Sequence, residues 1–227
     1  MISKYITKYR WLLIALSVFC VGGVWFFYTI LTSHKTLPIY SPHMVHADLV
    51  DTSIQEIRKY HRIKDFSFIN QDSMVITQDT YKNKIYITDF FFTTCQTICP
   101  KMTQNLKYIQ NNLPKESGIQ LLSHTVIPEY DTPKILKEYA ITHGVDTTKW
   151  NLVTGNKKDL YDMARKSYLV SKTQGNGGKY DMIHTENIVL IDKKRQIRGY
   201  YNGTNPKEIA QLLEDALWLE KSYIKKN

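Results

Sequence analysis

Cysteine is scarce in this chain of 227 residues, which contains only Cys20, Cys95 and Cys99. Three cysteines exclude a small disulfide-rich fold, because such folds depend on several paired bridges. Cys95 and Cys99 are also so close in sequence that a bridge between them would not close a large loop. We therefore interpret this pair as reactive rather than as a structural staple.

Charged residues are missing from residues 11–31, and acidic residues are missing from every position before Asp48. At about 1.5 Å per residue, a helix of this length covers roughly the 30 Å hydrocarbon core of a bilayer. Lys4, Lys8 and Arg10 precede the apolar run. By the positive-inside rule we predict that residues 1–10 are cytoplasmic and that the remainder of the chain lies across the membrane.

The apolar run also lacks the features of a cleaved signal peptide, since residues 28–31 at its end contain no small residue for cleavage. Phe19 does not fit a lipidation signal at Cys20, which we interpret as an apolar residue of a membrane helix. Residues 1–10 lack an Arg-rich amphipathic transit segment. We therefore predict an uncleaved single-pass anchor in a bacterial inner membrane, with the C-terminal part on the periplasmic side.

A basic stripe with interleaved aromatic residues is absent, so we predict no nucleic-acid partner. The formal charge of +9 includes the three basic residues that precede the membrane segment, and the other basic residues are scattered. We interpret them as solvated surface, with some attraction to an anionic membrane. The chain also shows no internal repeat.

Residues 32–62 contain two prolines and no helical period, which predicts an extended tether. Strands and helices then alternate over residues 63–227, which predicts an α/β layered domain. The predicted strands cover residues 66–70, 74–77, 85–92, 119–126, 150–153, 188–191 and 197–201. The predicted helices cover residues 100–113, 132–143, 157–168 and 206–223. A glycine-rich loop, residues 175–178, precedes the last two strands.

The two remaining cysteines lie where a predicted buried strand meets a helix that has Pro100 in its first turn. The free amides and dipole of a helix N-terminus stabilise thiolates and lower their pKa. Within a helix, a spacing of four residues places both sulfurs on one face. Cys95 and Cys99 can then chelate one metal ion or form a disulfide with each other, so metal binding and redox exchange both remain open.

Two thiolates suit a soft ion such as Cu(I), and an added imidazole gives a three-coordinate site. Among seven histidines, His184 is the candidate because it lies between the glycine-rich loop and the next strand. Its alternative role is that of a hydrogen-bonded loop histidine. Asp89, six residues before Cys95, is a candidate base that tunes Cys99, and its alternative role is that of a carboxylate at a strand edge.

Three segments closely resemble the Sco/SenC family: residues 88–100 (TDFFFTTCQTICP), 127–140 (IPEYDTPKILKEYA) and 183–192 (IHTENIVLID). The resemblance covers about residues 60–222. It implies a thioredoxin-like fold, in which helices flank a central mixed sheet. It also implies that copper, as Cu(I) or Cu(II), is bound by Cys95, Cys99 and His184 and is delivered to the dinuclear copper site of a haem-copper oxidase.

One position departs from the family pattern, because many relatives carry aspartate immediately before the ligand histidine and this chain has Ile183. Asp181 and Glu186 are the nearest acidic residues. The expected function is a membrane-anchored copper metallochaperone rather than an enzyme. Its expected partners are the copper-receiving oxidase subunit and a thiol reductant, since a disulfide would remove two ligands.

The alternative function is a membrane-tethered thiol–disulfide oxidoreductase acting on cysteines of the apo-oxidase or of other exported proteins. Such an enzyme would use Cys95 and Cys99, and it would use Asp89 if this carboxylate tunes the buried thiol. It has no evident use for His184.

Overall fold

A computed structural model describes residues 2–31, 35–50, 53–57, 61–171, 178 and 181–224. The chain forms two compact units, Met1–Thr36 and Leu37–Asn227. The first unit contains helix α1 (Ile2–Leu31). Within it, Lys8–Tyr28 are long and apolar enough to cross a membrane, by length and composition. Helix α1 is therefore a candidate membrane anchor or signal segment.

The second unit is built on one mixed sheet of seven strands. The strands are β1 (Ser67–Asn70), β2 (Val75–Thr77), β3 (Tyr86–Phe91), β4 (Gln120–Thr125), β5 (Trp150–Thr154), β6 (Asn187–Ile191) and β7 (Ile197–Asn202). Their order across the sheet is β2-β1-β5-β4-β3-β6-β7. Strands β3, β4 and β5 are parallel, whereas the other neighbouring pairs are antiparallel.

Helices cover the sheet at the positions that the alternating pattern predicts. They are α2 (Ile98–Asn112), α3 (Pro133–His143), α4 (Lys157–Asp162) and α5 (Pro206–Ile224). Helix α3 begins where the Thr132 hydroxyl caps it and ends at Gly144, which has a left-handed φ of +67°. The helix predicted over residues 157–168 is α-helical only as far as Asp162 and continues as a π-helix, Met163–Ser167.

Strand β3 is buried on both faces, as its apolar run predicts. Its side chains alternate between two hydrophobic cores. Tyr86 and Phe90 belong to one core, while Ile87 and Phe91 belong to the other core, which includes residues of α2, α3 and α5. By this alternation, Asp89 lies on the face of β3 that α2 covers.

Residues 37 and 38 lie against the edge of the sheet. Arg198 of β7 donates hydrogen bonds to the carbonyls of Leu37 at 2.7 Å and Pro38 at 2.8 Å. The same guanidinium pairs at 3.0 Å with the buried carboxylate of Asp192. The edge of the sheet therefore holds the backbone of this segment.

This contact lies within the segment that the sequence predicts as a tether, residues 32–62. The compact unit begins at Leu37, and Val50 is completely buried. The segment forms two short 3₁₀ helices, Pro42–Met44 and Ala47–Leu49, and its two prolines lack a backbone N–H. They do not prevent the carbonyl groups from accepting hydrogen bonds, and the edge strand β7 supplies the donor.

Candidate metal centre

The pairing of β3 with β6 brings together residues that are far apart in the sequence. The two strands are antiparallel, and Thr88 lies opposite Val189. The C-terminal end of β3 therefore lies beside the N-terminal end of β6. Cys95 follows the first of these ends and His184 precedes the second, so the topology places both at the same edge of the domain.

Cys95, Cys99 and His184 line one cavity of about 100 Å³. Cys99 is buried, Cys95 is half-buried and His184 is exposed. The ring of His184 meets Phe92 edge to face, with 6.2 Å between the ring centroids. Much of the remaining wall is apolar and includes Phe90, Phe91, Val126 and Ile183. The donors are two sulfurs and one imidazole, a set that suits Cu(I).

The three side chains line this cavity but are not close enough together to coordinate one metal ion. Within the described part of the chain, no three His, Cys, Asp or Glu side chains form a cluster ready to hold a metal ion. Both cysteines are free thiols, and the backbone N–H of Cys99 donates to Sγ of Cys95 at 3.5 Å. A three-coordinate site therefore requires the three side chains to come closer together.

The two thiols differ strongly in acidity. Burial alone raises the pKa of Cys95, but hydrogen bonds from the backbone amides of Cys99 and Thr97 and from their side chains outweigh it and lower that pKa to about 7. Burial raises the pKa of Cys99 to about 12, helped by hydrogen bonding and charge at Cys95 and by the charge of Asp89. The position at a helix N-terminus predicts a lowered pKa for both thiols. This prediction agrees with the direction at Cys95 and is wrong for Cys99, whose pKa is dominated by burial.

Asp89 lies inside the sheet, because β3 has β4 and β6 as neighbours. It is 2% exposed, and among the described residues its Oδ1 has no hydrogen-bond partner. Burial raises the pKa of Asp89 to about 7, although a hydrogen bond with Ser123 opposes this effect. Asp89 therefore does not lie at an exposed strand edge, and its charge is the smallest of the effects that raise the pKa of Cys99.

A carboxylate that sequence reasoning did not select holds the cysteine loop in place. Asp131 is fully buried and accepts hydrogen bonds from the backbone N–H and the hydroxyl of Thr93 and from the hydroxyl of Thr125. These bonds connect the turn before Cys95 to the loop that follows β4. The sequence around Asp131 signals only a helix start at Thr132, which says nothing about a bond across the fold.

The two acidic residues near His184 are engaged elsewhere. Asp181 accepts two hydrogen bonds from the guanidinium of Arg165, at 2.7 and 2.8 Å. Glu186 accepts a hydrogen bond from the hydroxyl of Thr204 at 3.1 Å. These contacts fix the chain on both sides of His184 while its own side chain stays exposed.

The position that departs from the family pattern has a structural role. Ile183 is 2% exposed and belongs to a hydrophobic core, so its side chain points into the domain. It also forms part of the cysteine cavity wall. In the predicted glycine-rich loop, residues 175–177 lie outside the described part of the chain.

The sequence and the fold are similar to those of known proteins over most of the second unit. The sequence model of the SCO1/SenC family matches residues 54–217. The SCO1 protein homolog of Bacillus subtilis (strain 168) is 29% identical over 159 residues, which are 68% of this chain and 81% of that protein. A putative copper-binding protein of Stutzerimonas stutzeri is 28% identical over 142 residues, or 61% and 68% of the two chains.

Among solved structures, a similar one is that of BsSco, a member of the Sco family of cytochrome c oxidase assembly proteins in which a disulfide switch was identified. It is 26% identical, with a TM-score of 0.62, and the match covers 71% of this chain and 94% of that chain.

Proposed function

The chain belongs to the SCO1/SenC family, and from this premise we propose that it is a membrane-anchored copper metallochaperone. Family membership and the structural similarity confirm the expected thioredoxin-like fold. In the proposed function, Cys95, Cys99 and His184 bind copper and transfer it to the dinuclear copper site of a haem-copper oxidase. The observation that carries the proposal is that all three side chains line one cavity.

Of the two sulfurs, Cys95 is the first to bind copper in this proposal. With a pKa of about 7, Cys95 is about half thiolate at neutral pH, whereas Cys99, with a pKa of about 12, remains a thiol until a metal ion displaces its proton. The exposed His184 supplies the nitrogen ligand. Because thiolates bind Cu(I) most tightly, release to an acceptor proceeds by stepwise exchange with the acceptor's own sulfur and nitrogen ligands.

The proposed location follows from α1 and the charges around it. The apolar span Lys8–Tyr28 and the basic residues Lys4, Lys8 and Arg10 support a bacterial inner-membrane anchor with the copper site on the periplasmic side. In an oxidising compartment, Cys95 and Cys99 require a thiol reductant as a partner, because a disulfide cannot bind copper in this way. The second proposed partner is the copper-receiving oxidase subunit.

One observation favours thiol–disulfide oxidoreductase activity as a second candidate. Cys95 is accessible and acidic, whereas Cys99 is buried and retains its proton, which is the asymmetry of an attacking and a resolving thiol. Reduction of a client disulfide would leave Cys95 and Cys99 as a disulfide and transfer two electrons and two protons to the client. His184 has no task in this reaction.

Copper stoichiometry and insulin reduction, measured on the same samples, distinguish the two functions. The samples are the reduced full-length protein in detergent, its His184→Ala variant and a His43→Ala control. His43 is also exposed and lines neither of the cavities that include His184. The metallochaperone predicts one copper per chain in the wild type and in His43→Ala, weaker binding of Cu(II) in His184→Ala, and little insulin reduction. Absence of specific copper binding, with insulin reduction that depends on both cysteines and not on His184, would establish the oxidoreductase instead.

A further inference from the structure

His184 lines two cavities, only one of which contains the cysteines. The second is larger, about 520 Å³, and Met182 is part of its wall but not of the cysteine cavity. His184 is thus an element that the two cavities share. Met182, with its soft thioether, and His184, with its imidazole, line the same space, whose wall includes neither cysteine.

The local backbone explains why Met182 and His184 are neighbours. Met182 is 42% exposed, Ile183 is 2% exposed and His184 is exposed, an alternation that puts residues 182 and 184 on the same side of the chain. In an extended segment, side chains two residues apart start about 6.6 Å from each other. The long, flexible methionine side chain can reach an ion held by the imidazole across that separation.

The surrounding contacts hold this segment in position. The ion pair between Asp181 and Arg165 anchors the residue before Met182, and the burial of Ile183 anchors the next one. The guanidinium of Arg165 also lines the second cavity, but its charge is balanced by Asp181. A cation in this cavity therefore does not face an uncompensated positive charge from Arg165.

We propose that Met182 and His184 form an outer Cu(I) position through which copper enters and leaves the cysteine site. This inference rests on the proposed metallochaperone function. A thioether and an imidazole bind Cu(I) through soft donors but more weakly than two thiolates do, so the outer position holds the ion only during transfer. His184 remains a ligand while Met182 is exchanged for the sulfurs of Cys95 and Cys99. The copper stays Cu(I), and protons leave the thiols on loading and return to them on release.

Methyl NMR of methionine tests the outer position directly. Full-length Cys95→Ser/Cys99→Ser protein in detergent, labelled at its methionine methyl groups, is titrated anaerobically with Cu(I) supplied as its acetonitrile complex. We expect the Met182 signal, assigned with Met182→Leu, to shift, and we expect the shift to be lost when His184→Ala is added. The methyl of Met74, which is 56% exposed and lines neither cavity, is the internal control and should not shift. Equal shifts of both methyls, or none at Met182, would refute the outer position.

Transfer kinetics test the same position with the cysteines intact. Wild-type, Met182→Leu and Met74→Leu proteins are loaded with Cu(I), their affinities are measured, and transfer to bathocuproine disulfonate is followed by stopped flow. Leucine conserves volume but offers no sulfur. We expect equal affinities and transfer that is about fivefold slower for Met182→Leu alone, the effect of losing about 1 kcal/mol of stabilisation during transfer.

The two hypotheses fail in different ways in this experiment. If the wild type binds no Cu(I), the metallochaperone function itself is wrong. If the wild type binds Cu(I) and Met182→Leu transfers it as fast as Met74→Leu does, the metallochaperone function stands and the outer position is wrong.

Discussion

The carboxylate of Asp131 accepts a hydrogen bond from the backbone N–H of Thr93 at 3.2 Å, two residues before Cys95. The Thr93 hydroxyl donates to the same carboxylate. Asp131 follows β4, whereas Thr93 follows β3, so this contact joins two loops at the carboxyl ends of parallel strands. The position of the first cysteine thus depends on a residue of another loop.

Replacing Asp131 with alanine should destabilise the domain and loosen the cysteine loop. Each buried donor left without a partner costs about 1–3 kcal/mol, so we expect a loss of several kcal/mol and weaker copper binding. Thr93→Val keeps the shape of the side chain and should cost about 1 kcal/mol. Thermal unfolding and Cu(I) affinity of the full-length protein check both effects. The exposed Asp79→Ala is the control, and unfolding temperatures equal to that control would contradict the structural role of Asp131.

Alkylation should separate the two thiols of the candidate site. Because the pKa of Cys95 is about 7 and that of Cys99 is about 12, iodoacetamide should modify Cys95 first at neutral pH. Its rate should rise with pH around a midpoint near 7 as the thiolate forms. Peptide mapping by mass spectrometry in a Cys20→Ser background gives both rates. Comparable rates at Cys95 and Cys99 at pH 7 would mean that burial does not control the acidity of Cys99.

Asp89 should make folding stability fall as pH rises. Its pKa increases from 3.8 in the unfolded chain to about 7 in the fold, so the folded state binds the proton more tightly. The stabilisation that this tighter proton binding contributes is complete below pH 3.8, is lost as pH rises toward 7, and is absent above pH 7. A pKa difference of this size corresponds to about 4 kcal/mol.

Asp89→Asn should abolish that part of the pH dependence because asparagine does not titrate. The unfolding free energies of the wild type and of Asp89→Asn are measured between pH 4 and 8. The difference between the two proteins should change by about 4 kcal/mol across this range. His124, whose pKa burial lowers to about 3, contributes the opposite slope, but it is present in both proteins and cancels in the difference. A constant difference across the range would show that Asp89 titrates normally.

Local patterns predicted most of the fold because the elements depend on neighbouring residues. The apolar run over residues 85–92 became the buried strand β3, and the cap at Thr132 with the glycine at position 144 bounded α3. The cysteine pair was visible for the same reason, since strand, thiols and helix start are contiguous. His184 was a candidate from its position after the glycine-rich loop, but its assignment with the cysteines came from a family resemblance, because no periodicity indicates which distant loop will lie beside β3.

The features that sequence reasoning missed or predicted in the wrong direction involve contacts between distant elements. The hydrogen bonds from Arg198 to residues 37–38 depend on where β7 ends up in the sheet. The high pKa of Cys99 depends on how deeply α2 is buried, and the position at the helix start indicated the opposite direction. Asp131 contacts Thr93 only because β3 and β4 are parallel neighbours. Each of these effects is tertiary, and a single sequence contains no periodic signal for it.

Substitution of the three candidate ligands should affect the two valences of copper differently. Cys95→Ala and Cys99→Ala each leave one sulfur and should abolish tight copper binding. His184→Ala keeps both sulfurs, so Cu(I) should still bind well, whereas Cu(II), which prefers nitrogen ligands more strongly, should bind much more weakly. Competition with chelators specific for each valence measures both affinities in the full-length protein. His184→Ala leaves intact the hydrogen bonds from Cys99 and Thr97 that lower the pKa of Cys95, so this variant should retain the alkylation rate of the wild type. Equal binding of copper by the wild type and all three variants would show that the metal binds elsewhere.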